Sequence, residues 1–202
     1  MRLLSKSIAI LTLLVTGITQ AQVTPVKIRL LSAAEMEEYA AISGQPKRGW
    51  EVWEKGGVFT LIMSEQRSAT SSPEFETRHI FAYCGLNDHG GLLPMFRMRD
   101  FANEVYWPEF IYEESGPADM DNDGRAEYYL AYHANSDGLD AKPLKVLVYW
   151  NFKKYKATAY YPAGNLGDRY RIEYDVGWQR LPKPVAQKAE SILAKLNKSD
   201  KR

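Results

Sequence analysis

One acidic stretch constrains the fold of this chain more than any other feature. It covers residues 118–127 and reads ADMDNDGRAE. The next five residues, 128–132, read YYLAY, and aromatic residues of this kind favour β-strands. The stretch is therefore predicted to be a loop that leads directly into a strand.

The spacing of the acids in this loop suits calcium. Asp119, Asp121 and Asp123 alternate with other residues, so their side chains converge when the chain curls. Calcium takes six to eight oxygen ligands at roughly 2.3–2.6 Å, mainly from carboxylates and carbonyls. Gly124 permits the sharp turn because glycine adopts positive φ without a clash, and Arg125 would offer its backbone carbonyl. We therefore expect a structural calcium ion in this loop and no catalytic metal.

The loop can also be compared with an EF-hand and with a solvated polar turn. An EF-hand needs a bidentate Glu at position 12 and an exiting helix, but position 12 counted from Asp119 is Leu130 and the exit favours a strand. A solvated polar turn is the alternative, since Asp, Asn and Gly are common turn residues. The loop packs four carboxylates into nine residues, which repel each other unless a cation neutralises them.

With its strand exit and an acid at position 9, the loop resembles the calcium loop of integrin-type β-propeller repeats. In that family the acid at position 9 completes the coordination, which implies Glu127 as a further ligand. Aspartate is usual at that position, so the longer glutamate is a departure. A propeller needs several blades and several copies of the motif, and only one copy is present.

The first 21 residues have the features of a signal peptide. Arg2 and Lys6 are basic, residues 8–15 form an apolar core too short to span a membrane, and residues 19–21 resemble a cleavage site. We expect a protein exported to the periplasm or the medium, with residues 22–202 as a single globular domain. The net charge of the chain is +1, which favours no nucleic-acid partner.

The pattern along the rest of the chain predicts the α+β class. Ser32 and Glu35 form a capping box that predicts a short N-terminal helix. A C-terminal amphipathic helix is predicted after Pro184, with the apolar stripe Val185, Ala189, Ile192, Leu193 and Leu196. Between them, about eight strands at short spacing predict an antiparallel meander. The clearest hairpin joins residues 144–150 to residues 155–161.

Few other residues suggest chemistry. Cys84 lies in a strand-like run and is expected to be a small buried residue, and His79, His89 and His133 lack metal-ligand spacing. No nucleophile elbow, phosphate loop or zinc motif is present, so no catalytic residue is predicted. The large rings either fill the core or form a sugar-stacking surface; those considered are Trp50, Trp53, Trp107 and Trp150.

Residues 118–132, 136–138 and 143–149 together resemble a family of bacterial exported proteins sometimes labelled surface-polysaccharide biosynthesis proteins. The resemblance implies an envelope role, with an envelope glycan or another envelope protein as partner. The sequence thus predicts an exported, non-enzymatic domain with a structural calcium loop. The alternative is an envelope polysaccharide-binding or polysaccharide-assembly accessory protein, and a hydrolase is the third interpretation.

Overall fold

The computed structural model describes residues 24–42, 44–69, 76–137, 142–161 and 169–199 of the 202-residue chain. The predicted signal peptide lies outside these residues. Within them, two antiparallel β-sheets and a C-terminal helix stack in three layers.

The first sheet has five strands in the order β1-β2-β3-β4-β5, and each strand is antiparallel to its neighbours. The strands are β1 (Lys27–Leu30), β2 (Gln45–Glu54), β3 (Gly57–Ala69), β4 (Glu76–Asp88) and β5 (Gly91–Asp100). A short helix, α1 (Ala33–Glu37), lies between β1 and β2. The predicted capping box at its start is confirmed, because the Ser32 hydroxyl accepts from the Glu35 amide and the Glu35 carboxylate accepts from the Ser32 amide.

The second sheet has six strands in the order β11-β10-β9-β8-β6, and β7 pairs with β8 beside β6. These are β6 (Tyr106–Phe110), β7 (Gly116–Ala118), β8 (Glu127–Ser136), β9 (Pro143–Trp150), β10 (Lys153–Tyr160) and β11 (Arg171–Tyr174). Short 3-10 helices cover Tyr112–Glu114 and Trp178–Arg180. The predicted C-terminal helix is confirmed as α2 (Lys183–Ser199). No helix in the described part of the chain is both long and apolar enough to cross a membrane.

Strand β8 shows how the three layers meet. Successive side chains of a strand point to opposite faces. Tyr128, Leu130 and Tyr132 face the core between the two sheets, whereas Tyr129 and Ala131 face the core beneath α2. Because β8 is buried on both faces, its start is a rigid support for the loop that precedes it.

The predicted single meander of about eight strands needs correction. The protein is mostly β, and the described residues form eleven strands in two sheets. The sequence pattern missed β1 because its four residues are all exposed. Strand β3 continues through the polar residues 64–68 to Ala69. Polar residues at strand ends reach beyond the core and therefore resemble loop residues.

Positive φ angles in the turn explain two of the hairpins, β9–β10 and β4–β5. The clearest predicted hairpin is confirmed as β9 and β10, joined by Asn151 and Phe152, whose φ angles are 49° and 57°. Two consecutive positive φ angles are typical of the type I′ turn that suits the twist of a hairpin. The β4–β5 hairpin turns at His89 and Gly90, with φ of 47° and 83°, because β4 extends to Asp88.

Candidate metal centre

The acidic loop is the connection between β7 and β8 in the second sheet. Ala118 and Glu127 are paired across these strands, so the loop begins and ends at one rigid position. Inside the loop, Asn122 and Gly124 have φ angles of 57° and 82°. These two left-handed residues let the backbone curl tightly, as the glycine in the sequence predicted.

The curl brings three carboxylates together. Oxygen atoms of Asp119, Asp121 and Glu127 all lie within 4.8 Å of one another. Two oxygens bound to one calcium ion can be separated by at most about 5 Å, since each lies roughly 2.3–2.6 Å from the ion. The spacing of the three carboxylates is therefore compatible with a shared cation.

Backbone amides of the loop orient these carboxylates. The Met120 amide donates to Glu127 Oε2 over 2.8 Å, and the Gly124 amide donates to Asp119 Oδ2 over 3.2 Å. The second oxygen of Asp119, Oδ1, is buried and has no hydrogen-bond partner among the described residues. A buried carboxylate oxygen without a partner is costly, and a cation would satisfy it.

Burial and mutual repulsion perturb the titration of the group. Glu127 is only 1% exposed. Its burial, with smaller effects of Asp121 and Asp119, raises the pKa of its carboxyl to about 8. Burial, followed by the charge of Asp123, also raises the pKa of Asp121. The Trp150 indole N–H lies close enough to Asp121 to oppose this shift, although its nitrogen makes no hydrogen bond of normal geometry to any described residue. The ionised cluster is therefore unfavourable without a proton or a cation.

The loop also contacts the first sheet, at the turn between β2 and β3. The Ala126 amide donates to Glu54 Oε2 over 2.7 Å, and the Lys55 amide donates to the Gly124 carbonyl over 2.8 Å. Burial raises the pKa of the Glu54 carboxyl, and the nearby acids Asp123 and Asp119 raise it further. Sequence reasoning missed Glu54 because it lies 72 positions before its partner and belongs to no motif.

The structure thus brings together three of the predicted ligands. Asp123 is exposed and lies outside the group within 4.8 Å; its Oδ1 accepts from the Arg125 amide over 2.8 Å. Coordination by Asp123 and by the Arg125 carbonyl therefore stays a prediction.

The donor set limits which ions the cluster can hold. All donors are carboxylate oxygens, and the cluster contains no histidine or cysteine. Oxygen ligands suit calcium, magnesium and manganese, whereas zinc and copper favour nitrogen or sulfur. Within the described ranges this is the only group of three or more such side chains whose ligand atoms converge.

Other reactive side chains have structural environments. Cys84 is fully buried and burial raises the pKa of its thiol, as expected for a core residue rather than a nucleophile. His79 Nδ1 accepts a hydrogen bond from the Ala102 amide over 2.9 Å. His89 is exposed in its turn and contacts Asp88 alone among the described acids. None of these groups faces the carboxylate cluster.

The four tryptophans considered for a sugar-stacking surface differ in how exposed their rings are. Trp50 is 7% exposed and belongs to the core between the sheets, and Trp53 and Trp150 are half-buried. Trp107, at 38% exposed, is the one of the four whose ring is open to solvent.

Comparisons with known proteins give no relative from which a role could be transferred. No protein-family model, no curated protein and no solved structure matches this chain. The interpretation of the acidic loop therefore depends on its own geometry.

Proposed function

We propose that this protein is an exported, non-enzymatic domain that a calcium ion in the loop of residues 119–127 stabilises. One observation carries the proposal: the carboxylates of Asp119, Asp121 and Glu127 converge within 4.8 Å, and Asp119 Oδ1 is buried without a partner. In this proposal Asp123 and the Arg125 carbonyl complete the coordination from the open side of the loop.

The ion would act on the contact between the two sheets. It neutralises carboxylates that otherwise repel each other, and it fixes the loop whose Gly124 and Ala126 hydrogen-bond to the turn between β2 and β3. Calcium modules of extracellular proteins bind with dissociation constants of about 10⁻⁴ to 10⁻³ M. At free calcium of about 100 times that constant, the folded state gains roughly 2.7 kcal/mol.

The test is the thermal melt of the chain from Gln22 onward, in chelator and then in millimolar calcium or magnesium. We expect calcium to raise Tm by about 5–10 °C, and magnesium to raise it less because magnesium demands octahedral geometry and retains its waters. Asp121→Asn should remove most of this shift. Asp137→Asn, which changes an exposed aspartate outside the loop, should keep it.

Two results would contradict the calcium proposal. Equal Tm values in chelator and calcium would mean that the aspartates form only a polar turn. A full calcium shift in Asp121→Asn would place the ion elsewhere in the protein.

Export is tested separately, by expressing the full chain in a bacterium and measuring the mass of the protein in each cell fraction. We expect a periplasmic or extracellular product that begins at Gln22. A cytoplasmic product that retains residues 1–21 would contradict export and leave the calcium proposal untouched.

Binding of an envelope polysaccharide is the second candidate function. It is favoured by two exposed rings near the connection between β5 and β6, those of Phe101 and Trp107, which are 52% and 38% exposed. Such rings can stack on sugars. Electrophoresis through gels that contain envelope polysaccharide should show retardation that Trp107→Ala weakens and Tyr174→Ala, a change at an exposed ring on β11, does not. Equal mobility with and without polysaccharide would reject this role.

A further inference from the structure

A second charged feature lies along β5, the edge strand of the first sheet. Strands β9 and β10 of the second sheet lie beside β5, and residues of all three strands border one space. Lys154 and Lys156 pair in register with Tyr149 and Leu147, which belong to the core between the sheets. Directly opposed residues of neighbouring strands share a face. The two lysines therefore lie on the inner face of the second sheet, yet both are exposed.

The space along this edge is a groove of about 300 Å³. Five cationic residues border it: Arg97, Arg99, Lys145, Lys154 and Lys156. The three lysines lie on the inner face of the second sheet, whereas Arg97 and Arg99 alternate with the core residues of β5 and direct their side chains to the other face of the first sheet. Tyr132 and Tyr149 also line it and are 4% and 3% exposed, so they form its floor. We call this space the basic groove.

Among the described residues, only one of the five cations has an acidic partner. Lys145 Nζ lies 3.3 Å from Asp100 Oδ2, and the same carboxylate accepts from the Tyr106 hydroxyl. In the described part of the chain, no carboxylate lies within 4.0 Å of the other four cations. Arg97 instead lies over the Tyr83 ring at 5.4 Å and Arg99 over the Phe101 ring at 5.6 Å. Lys154 and Lys156 therefore bring positive charge to the groove that no described carboxylate neutralises.

We propose that the basic groove binds the phosphate group of a small ligand. A phosphate monoester carries about −1.5 to −2 charges at neutral pH and offers three acceptor oxygens. Lysine binds such a group as a mobile point charge with three N–H donors. A volume of 300 Å³ lies at the lower end of small-ligand sites, so it suits a ligand the size of a sugar phosphate.

The floor of the groove disfavours single-stranded nucleic acid. Proteins that bind single strands stack bases on exposed aromatic faces. The rings of Tyr132 and Tyr149 are almost completely covered. Two sources offer such a phosphate, a soluble ester and the headgroup of an anionic lipid, and the experiment has one arm for each. The inference does not depend on the calcium proposal, because it uses none of the loop residues.

The soluble arm measures binding of glucose 6-phosphate by calorimetry at low salt. Glucose is the uncharged control and glucuronate the carboxylate control. We expect binding of glucose 6-phosphate that weakens about tenfold or more in Lys154→Gln/Lys156→Gln, since charge-assisted hydrogen bonds are the strong ones. Lys154→Arg/Lys156→Arg should retain binding, because it keeps both charges.

The matched control is Lys153→Gln/Lys183→Gln. It removes two exposed charges from β10 and the start of α2, and Lys153 alternates with Lys154 and so points to the opposite face of the sheet. We expect less than about a twofold change in this variant, because neither lysine borders the groove. Thermal melts of all variants establish that they are folded.

The lipid arm measures co-sedimentation with phosphatidylcholine vesicles with and without phosphatidylglycerol. Binding to the anionic vesicles alone, with the same dependence on Lys154 and Lys156, supports the proposal and identifies the lipid headgroup as the source. Binding of glucose 6-phosphate alone supports it with a soluble source.

Three results overturn the proposal. The first is that neither phosphate source binds. The second is that the control variant weakens binding as much as Lys154→Gln/Lys156→Gln does. In the third, glucuronate binds as tightly as glucose 6-phosphate, which would mean that the groove recognises any anion.

Discussion

The acidic loop and the basic groove both gather like charges, but the protein treats the two clusters differently. Glu127 of the loop is 1% exposed, and Asp119 has a buried oxygen without a partner. Lys154 and Lys156 of the groove are exposed, so water solvates their charges. Burial therefore turns the repulsion in the loop into a cost for folding, whereas the repulsion in the groove costs little. A proton or a cation would relieve the repulsion in the loop, whereas the exposed lysines of the groove need no ligand for stability.

The largest effect that would sharpen this comparison is expected from Glu127→Gln. Glutamine keeps an oxygen that can accept from the Met120 amide but removes the buried charge. We expect the variant to lose most of the roughly 2.7 kcal/mol that saturating calcium provides. In chelator at pH 8, it should be at least as stable as the wild type. Urea unfolding with and without calcium measures both quantities, and a variant that keeps its calcium response would show that Glu127 is not a ligand.

The contact between the sheets is expected to have the next largest effect. Glu54→Ala leaves the buried Ala126 amide without its acceptor, which typically costs about 1–3 kcal/mol. The control is Glu51→Ala on the same strand, which breaks a surface ion pair with Arg29 and should cost less than about 1 kcal/mol. Chemical denaturation compares the two, and equal losses would mean that the Glu54 contact is no stronger than a surface pair.

A smaller, graded effect is expected from pH. The folded pKa of Glu127 is about 8 and its ordinary value is 4.5, so the metal-free folded state binds a proton that the unfolded chain releases. In chelator, the contribution of Glu127 to stability should therefore be largest below about pH 4.5 and should fall as pH rises to 8.

Calcium reverses this trend because it displaces the proton. Below pH 8, calcium affinity should rise about tenfold for each pH unit, since one proton leaves for each ion bound. Calorimetry in buffers of different ionisation enthalpy counts that proton. Calcium binding that releases no proton at pH 7 would contradict the raised pKa of Glu127.

The smallest effect on stability is expected in the basic groove. Lys154→Gln/Lys156→Gln removes exposed charges and no hydrogen bond among the described residues, so unfolding should change by no more than about 0.5 kcal/mol. The same change should strongly affect phosphate binding. A loss of stability comparable to that of Glu54→Ala would mean that these lysines have a structural role and that the comparison with the loop is wrong.

Local features of the sequence predicted much of the fold. The Ser32–Glu35 capping box, the apolar stripe of α2 and the β9–β10 hairpin all depend on residues close in the chain, and all are confirmed. The division into two sheets was not predicted. It depends on β5 and β6 belonging to different sheets although only five residues separate them, and hydrophobic alternation looks the same on either side of that boundary.

The site shows the same limit. Acid spacing predicted that Asp119 and Asp121 converge, and the resemblance to the propeller loop implied Glu127. The spacing also predicted Asp123, which lies outside the group within 4.8 Å. Glu54 could not be predicted, because its role arises only when the turn between β2 and β3 packs against the loop. The basic groove could not be predicted either, since alternating lysines on β10 resemble an ordinary solvated face until the neighbouring sheet is seen to end at β5.

The hydrogen bonds between the β2–β3 turn and the acidic loop link the two sheets, so local unfolding at this contact should break hydrogen bonds of both sheets at once. The Lys55 amide donates to Gly124, and the Ala126 amide donates to Glu54. Native-state hydrogen exchange reports the free energy of such local openings one amide at a time. Amides on both sheets at this contact should therefore exchange at one common rate, and that rate should slow together when the ion binds. Occupancy of a loop in one sheet can then be followed at Lys55, in the other.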